Sequence, residues 1–125
     1  MKITYPIEHF SYEEIACPCC DLLNINPMSI KRLDLLRSLL NQPIKINSAC
    51  RCKKHNLEVG GALNSSHLFD EDSPSYAFDI SCVGGFDKYH LIKKAMEVGF
   101  HRIGIYDRFI HLDDDPSKSP FVWLG

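Results

Sequence analysis

Two short apolar runs in this chain each carry an ionisable residue where a core should form. In Tyr76-Ala-Phe-Asp-Ile-Ser-Cys82, the residues Phe78, Ile80 and Cys82 alternate with Ala77, Asp79 and Ser81, which predicts a strand with one polar face. In Phe109-Ile-His-Leu112 the same alternation puts Phe109, His111 and Asp113 on a common face. A carboxylate buried in such a strand is costly unless it is paired or bound to a metal. Any fold for this chain must therefore supply partners for Asp79 and His111. A further imidazole, His67, closes the segment Ser65-Ser-His67 at the head of the loop that feeds the Asp79 strand. Two imidazoles and one carboxylate make a three-ligand shell with its fourth position open, the form that catalytic zinc takes; structural zinc is usually closed by four protein ligands. Taken singly, each signal leaves a plainer reading open. A lone strand histidine is more often a satisfied structural residue, and a lone strand Asp is as often a turn or salt-bridge residue.

The rest of the chain reads as one domain, residues 1–125, of α+β class, with two main helices packed on a small, mostly antiparallel sheet. Asn26 is suited to cap a helix that starts with Pro27. Ile30, Leu33, Leu36 and Leu40 recur at helical spacing, Leu35 and Leu39 widen the stripe, and Asn41-Gln-Pro43 ends it. Ile44 and Ile46 alternate with Lys45 and Asn47 as a short strand. Lys53 to Val59 predicts a helical turn stopped by Gly60-Gly61. After the loop from Asn64 to Ser75 and the Asp79 strand, Asp87 is expected to cap a second helix that turns Leu91, Ala95 and Val98 inward and closes at Gly99. Two strands follow, around Ile103–Tyr106 and Phe109–Leu112.

Composition excludes several classes. The 45% hydrophobic and 24% charged content is ordinary for a globular chain, and a formal charge of −2 gives no electrostatic case for nucleic acid. No apolar run approaches the ~18 residues of a membrane span. Met1-Lys-Ile-Thr-Tyr-Pro6 lacks the apolar core and small-residue cleavage site of a signal peptide, so cytosolic synthesis is expected, as a monomer. Six cysteines, Cys17, Cys19, Cys20, Cys50, Cys52 and Cys82, leave three states open. They can be free thiols, disulfides formed after release, or a thiolate metal site joining Cys17-Pro-Cys-Cys20 to Cys50-Arg-Cys52. Against the last stands the C-x-C spacing, since a zinc ribbon normally offers two C-x-x-C halves.

The stretch Ile46-Asn-Ser-Ala-Cys-Arg51-Cys-Lys-Lys-His-Asn56-Leu-Glu-Val-Gly60-Gly-Ala-Leu-Asn-Ser65-Ser-His67 resembles the first signature of the zinc D-Ala-D-Ala carboxypeptidase-like peptidases, cell-wall enzymes that share a fold with the hedgehog signalling domain. Ala77-Phe-Asp79-Ile80, Gly104-Ile-Tyr106 and Phe109-Ile-His111-Leu-Asp113 are similar to the strands that complete the pattern, and His9-Phe-Ser-Tyr-Glu-Glu-Ile-Ala-Cys17 is similar to the opening of small members. The resemblance implies a hedgehog/DD-peptidase-like fold and one Zn²⁺ on His67, Asp79 and His111. It implies that Arg51 holds substrate through a terminal carboxylate and that Ser65 supports the site by hydrogen bonding. Asp113 is implied as general base or as partner of a ligand, with Asp107 in reserve, because Arg108 stands where several relatives carry an acid. The gap between His67 and Asp79 is longer than in relatives and lacks their glycine, so Asp70 or Asp72 could replace Asp79. An insertion on a surface loop nonetheless costs little closure entropy.

The function implied is zinc-dependent hydrolysis of D-amino-acid-containing peptide bonds in the stem peptides of bacterial peptidoglycan, as carboxypeptidase or endopeptidase. A phage lytic enzyme released by a separate membrane-permeabilising protein would fit, as would a bacterial wall enzyme with an unusual export route. Two rivals are a non-catalytic wall-binding module that keeps the metal, and a virion structural protein with cysteine-held zinc near its N-terminal end.

Overall fold

The computed structural model describes residues 7–125, so the reading of Met1–Pro6 lies outside the described residues. Elements follow in the order α1 (Tyr12–Ile15), α2 (Pro27–Leu40), β1 (Ile46–Ser48), α3 (Lys53–Glu58), β2 (Ala77–Ser81), α4 (Gly85–Val98), β3 (Arg102–Ile105), β4 (Phe109–Asp113) and β5 (Phe121–Leu124). The strands form one sheet in the order β1-β2-β4-β3-β5. Its neighbours are antiparallel except β5, which joins β3 in parallel and makes the sheet mixed. The α+β class and the two long helices match the expectation; α1 and β5 are additions to it.

Local chemistry explains the long helices. The Asn26 side chain accepts the backbone N–H groups of Met28 and Ser29, which would otherwise lack partners, and Pro27 occupies the turn where a missing N–H costs nothing. Ile30, Leu33 and Leu36 are fully buried, whereas Leu35 and Leu39 are each 48% exposed. The apolar stripe is thus narrower than the sequence suggested, because these two leucines lie one step around the helix from the buried ridge. Asp87 does not cap α4. The helix starts three residues earlier, behind Gly84, and Asp87 sits in its first turn, where its charge still meets the positive end of the helix. Arg32 of α2 donates through Nε to the Val98 carbonyl (3.2 Å), closing the far end of α4.

Both helices pack on one face of the sheet. Ile30, Leu33 and Leu36 of α2 and Leu91 and Ala95 of α4 join Phe78, Ile80, Ile103, Ile110 and Leu112 in a single buried cluster. Alternation then turns the residues between them to the opposite face. Register does the rest. Ser48 is opposite Asp79, Asp79 opposite His111, His111 opposite Gly104, and Gly104 opposite Trp123. One rung therefore crosses all five strands, and its polar members lie away from the helices.

Ile110, fully buried in the central strand β4, anchors that arrangement from the core side. Ile110→Ala is expected to cost about 2–5 kcal/mol of stability in urea unfolding, the usual penalty for emptying such a site.

Candidate metal centre

His67 reaches the rung from a loop, and three backbone contacts hold the loop there. Arg51 N–H donates to the His67 carbonyl (2.8 Å), Phe69 N–H donates to the Arg51 carbonyl (3.0 Å), and His67 N–H donates to Ser65 Oγ (3.1 Å). A second clamp comes from beyond β4. Ser66 Oγ donates to Asp115 Oδ2 (2.8 Å), while Lys118 Nζ donates to Ser66 Oγ (2.8 Å) and to the Asn64 carbonyl (2.6 Å). The inserted segment after His67 folds back on itself instead of entering the cleft. Asp70 Oδ1 accepts the N–H groups of Asp72 and Ser73 (both 2.8 Å), and Ser75 exchanges backbone bonds with Asn24 and Asn26 (2.9 Å each). Asp70 and Asp72 are exposed and lie outside the group formed by His67, Asp79 and His111.

At the centre, Asp79 Oδ1 lies 3.1 Å from His67 Nε2 and 3.0 Å from His111 Nδ1. The other nitrogen of each ring is already committed. His67 Nδ1 meets the Ala49 carbonyl, an acceptor only, so that nitrogen carries the proton. His111 Nε2 lies 2.7 Å from Asp113 Oδ2, again an acceptor. With those protons placed, both neutral imidazoles turn lone pairs toward the Asp79 oxygen. Three acceptor atoms converging on one point are an arrangement that a cation between them would satisfy, and the three residues offer ligand atoms within 4.8 Å of one another. Nitrogen and carboxylate donors of this kind suit zinc, and the outer hydrogen bonds are those that orient metal-bound histidines. The residues present therefore fit a zinc ion.

Electrostatics favour the ligating form at two of the three residues. Burial alone would raise the Asp79 carboxyl, but hydrogen bonds and charge from His111 and His67 hold it well below the usual range. Burial pushes the His67 imidazole down, favouring the neutral form that ligates. His111 is also buried, but Asp113 and Asp79 outweigh that and raise it.

The centre lies in a cleft of about 600 Å³ whose walls include Arg51, Ser65, Tyr106, Phe109 and Trp123. Arg51 is held by three contacts. Its Nε donates to Ser48 Oγ (3.0 Å), one terminal nitrogen to Asn56 Oδ1 (3.2 Å), and the other to Asp79 Oδ2 (3.4 Å). Gly61 makes this possible, since a Cβ there would lie 2.1 Å from Asn56 Oδ1 and 2.9 Å from the guanidinium. Gly104 does the same for Trp123, which a Cβ would meet at 2.6 Å. Asp113 is almost wholly buried. It bonds His111 Nε2, pairs with Arg102 (3.2 Å) and accepts Asp115 N–H (3.1 Å). Of the two roles expected for it, these contacts are those of a ligand's partner. Asp107 is exposed, outside the cleft walls, and its carbonyl accepts Lys88 Nζ (2.6 Å).

Several contributors escaped sequence reading. The Ala49 carbonyl, Ser48, Asn56, Arg102 and Asp115 become neighbours of the site only through tertiary structure. Trp123 was missed because Phe121–Leu124 is too short and too exposed to be read as a strand.

The protein-family model described as Peptidase M15 matches residues 8–113, which is most of the chain and includes every residue of the centre. No curated protein matches it. Asp113→Asn, which leaves the three ligands in place, is expected to weaken zinc binding about 10–100-fold in a competition titration, the usual effect of losing an outer partner. Hydrogen bonds from Ser117 and Ser66 and the charge of Lys118 outweigh burial and hold the Asp115 carboxyl below its ordinary value. Its contribution to stability is then full above about pH 4 and lost as pH falls below that. Asp115→Ala should flatten the acid side of the stability profile, followed by urea midpoint in the presence of a chelator.

Proposed function

The chain belongs to the Peptidase M15 family, and from that premise we propose that it is a zinc-dependent peptidase acting on D-amino-acid-containing bonds of peptidoglycan stem peptides. The observation that carries this reading is the convergence of three acceptor atoms at the base of a cleft with a guanidinium on its wall. A zinc ion bound there supplies Lewis acidity, polarising a peptide carbonyl and making water nucleophilic near neutral pH. The chain's own residues do the remaining work. Ala49 and Asp113 fix the ring orientations of His67 and His111, so the donor atoms are set before substrate arrives.

Arg51 is the substrate anchor in this reading. Its planar fork can grip a carboxylate with two parallel bonds, and Ser48 and Asn56 hold it in place beforehand. Its contact with Asp79 is the longest of the three and the only charged one, so an incoming carboxylate competes with Asp79 for the guanidinium. Ser65 supports the loop that carries His67 and lines the same cleft, where a stem peptide would lie beside it. Nucleic acid is not among the expected partners, no helix among the described residues is long and apolar enough to cross a membrane, and the chain is taken to act as a monomer. Action on the wall after release, as a phage lytic enzyme or an exported bacterial one, completes the proposal.

One observation favours a second reading. Among the described residues of the cleft wall the carboxylates are Asp79 and Asp113, both committed, and Arg108 is exposed outside it. A module that holds zinc and binds wall peptides without cutting them would look like this. Incubation of purified peptidoglycan with the zinc-loaded chain decides between the two. New amino and carboxyl termini, abolished by a chelator and by His67→Ala, are expected for the peptidase; binding without new termini would overturn it. Arg51→Lys should lower kcat/KM about 10–100-fold, equivalent to a lost charged hydrogen bond of ~1.5–3 kcal/mol.

A further inference from the structure

On the far side of Arg51, a second group of metal-type ligands lies outside the cleft. The Sγ atoms of Cys17, Cys20 and Cys52 all lie within 4.8 Å of one another. We propose that these three cysteines hold a second metal ion, a zinc-type divalent cation bound by thiolates, separate from the His67-Asp79-His111 centre.

The backbone around the sulfurs is built for thiolates. Cys17 opens a tight turn in which its N–H donates to the Leu22 carbonyl and its carbonyl accepts Asp21 N–H, both at 2.8 Å. Cys52 N–H donates to Cys17 Sγ (3.4 Å), and His55 N–H donates to Cys52 Sγ (3.4 Å). One amide donor thus faces each of two sulfur atoms. A neutral thiol accepts hydrogen bonds weakly, and thiolates gathered this closely repel one another unless a cation lies among them.

Sulfur softness selects zinc over calcium or magnesium, and structural zinc is normally four-coordinate. Cys19, exposed on the same turn, lies outside the group of three sulfurs, which leaves the fourth corner to solvent. The C-x-C spacing of Cys50 and Cys52, an objection at the level of sequence, also loses its force. Cys50 turns away and donates through Sγ to the Ile15 carbonyl (3.2 Å), so Cys52 alone belongs to the group.

The position gives the ion a structural task. Cys52 caps α3, which carries Asn56, and follows Arg51 directly. An ion here rivets the segment before α2 to the loop that presents the guanidinium, on whichever substrate the cleft acts.

Metal counting on the reduced, zinc-loaded chain tests this. Two zinc ions per chain are expected, with His67→Ala and Cys20→Ser each retaining one and the double variant none. In the cobalt-loaded protein, thiolate-to-cobalt charge-transfer absorption should persist in His67→Ala and vanish in Cys20→Ser and Cys52→Ser. Because Cys20 is exposed, its serine variant keeps the test valid if Cys52→Ser fails to fold. A zinc count unchanged by Cys20→Ser, or no thiolate absorption with cobalt bound, would overturn the proposal. So would a chain mass showing that these cysteines are joined as disulfides. Since the thiolate signal is read in His67→Ala, the test is independent of whether the cleft is a peptidase.

Discussion

The antiparallel pairing of β2 with β4 is the constraint on which the rest of the molecule depends. It puts Asp79 directly opposite His111 while Phe78, Ile80, Ile110 and Leu112 face the helices. These two results cannot be separated. A slip of one residue would expose the apolar set and bury both polar residues among α2 and α4, so packing on one face fixes the register on the other. The core energy that orders the sheet thereby also aligns the ligands. His67, on a loop, has no such guarantee and relies on the backbone bonds to Arg51 and the Ser66–Asp115 clamp.

This division explains what could be read from sequence. Period-two alternation revealed Asp79 and His111 because strands have a regular geometry that one residue type at a time can display. Asn26-Pro27 announced α2 through chemistry confined to one turn. His67 is marked in the sequence only by its place at the head of the loop that feeds the Asp79 strand, since a loop residue has no periodicity, and the family pattern gives it most of its weight. Parity placed Asp113 on the side of His111, but not that its carboxylate would turn to Nε2 and Arg102. The start of α4 is hidden in the sequence because Asp87 is a good cap by type, and Gly84, three residues ahead of it, carries little signal. The setting of Asp79 in Ala77-Phe-Asp79-Ile80 favours it over Asp70 and Asp72 from sequence, whereas the anchoring of their loop to Asn24 and Asn26 is visible only in the fold.

The cysteines show the opposite case. Spacing alone argued against a shared site, because a motif is counted along the chain whereas ligands meet in space. The turn after Cys17 and the residue that caps α3 come together only once α1 packs beside β1. A half-motif from each then brings three sulfurs within 4.8 Å of one another.

Gly104 has one more consequence. It leaves room on the rung for Trp123, the chain's single tryptophan, whose ring lies 5.3 Å from that of His111. The indole N–H is bonded to the Tyr106 hydroxyl (3.0 Å) and Arg102 lies over the ring (5.3 Å), so its surroundings are well defined. The protein thus carries its own optical reporter. Anything that changes the charge on His111, by proton or by ion, alters the field at one chromophore, and the occupancy of the centre becomes readable as emission without an added label.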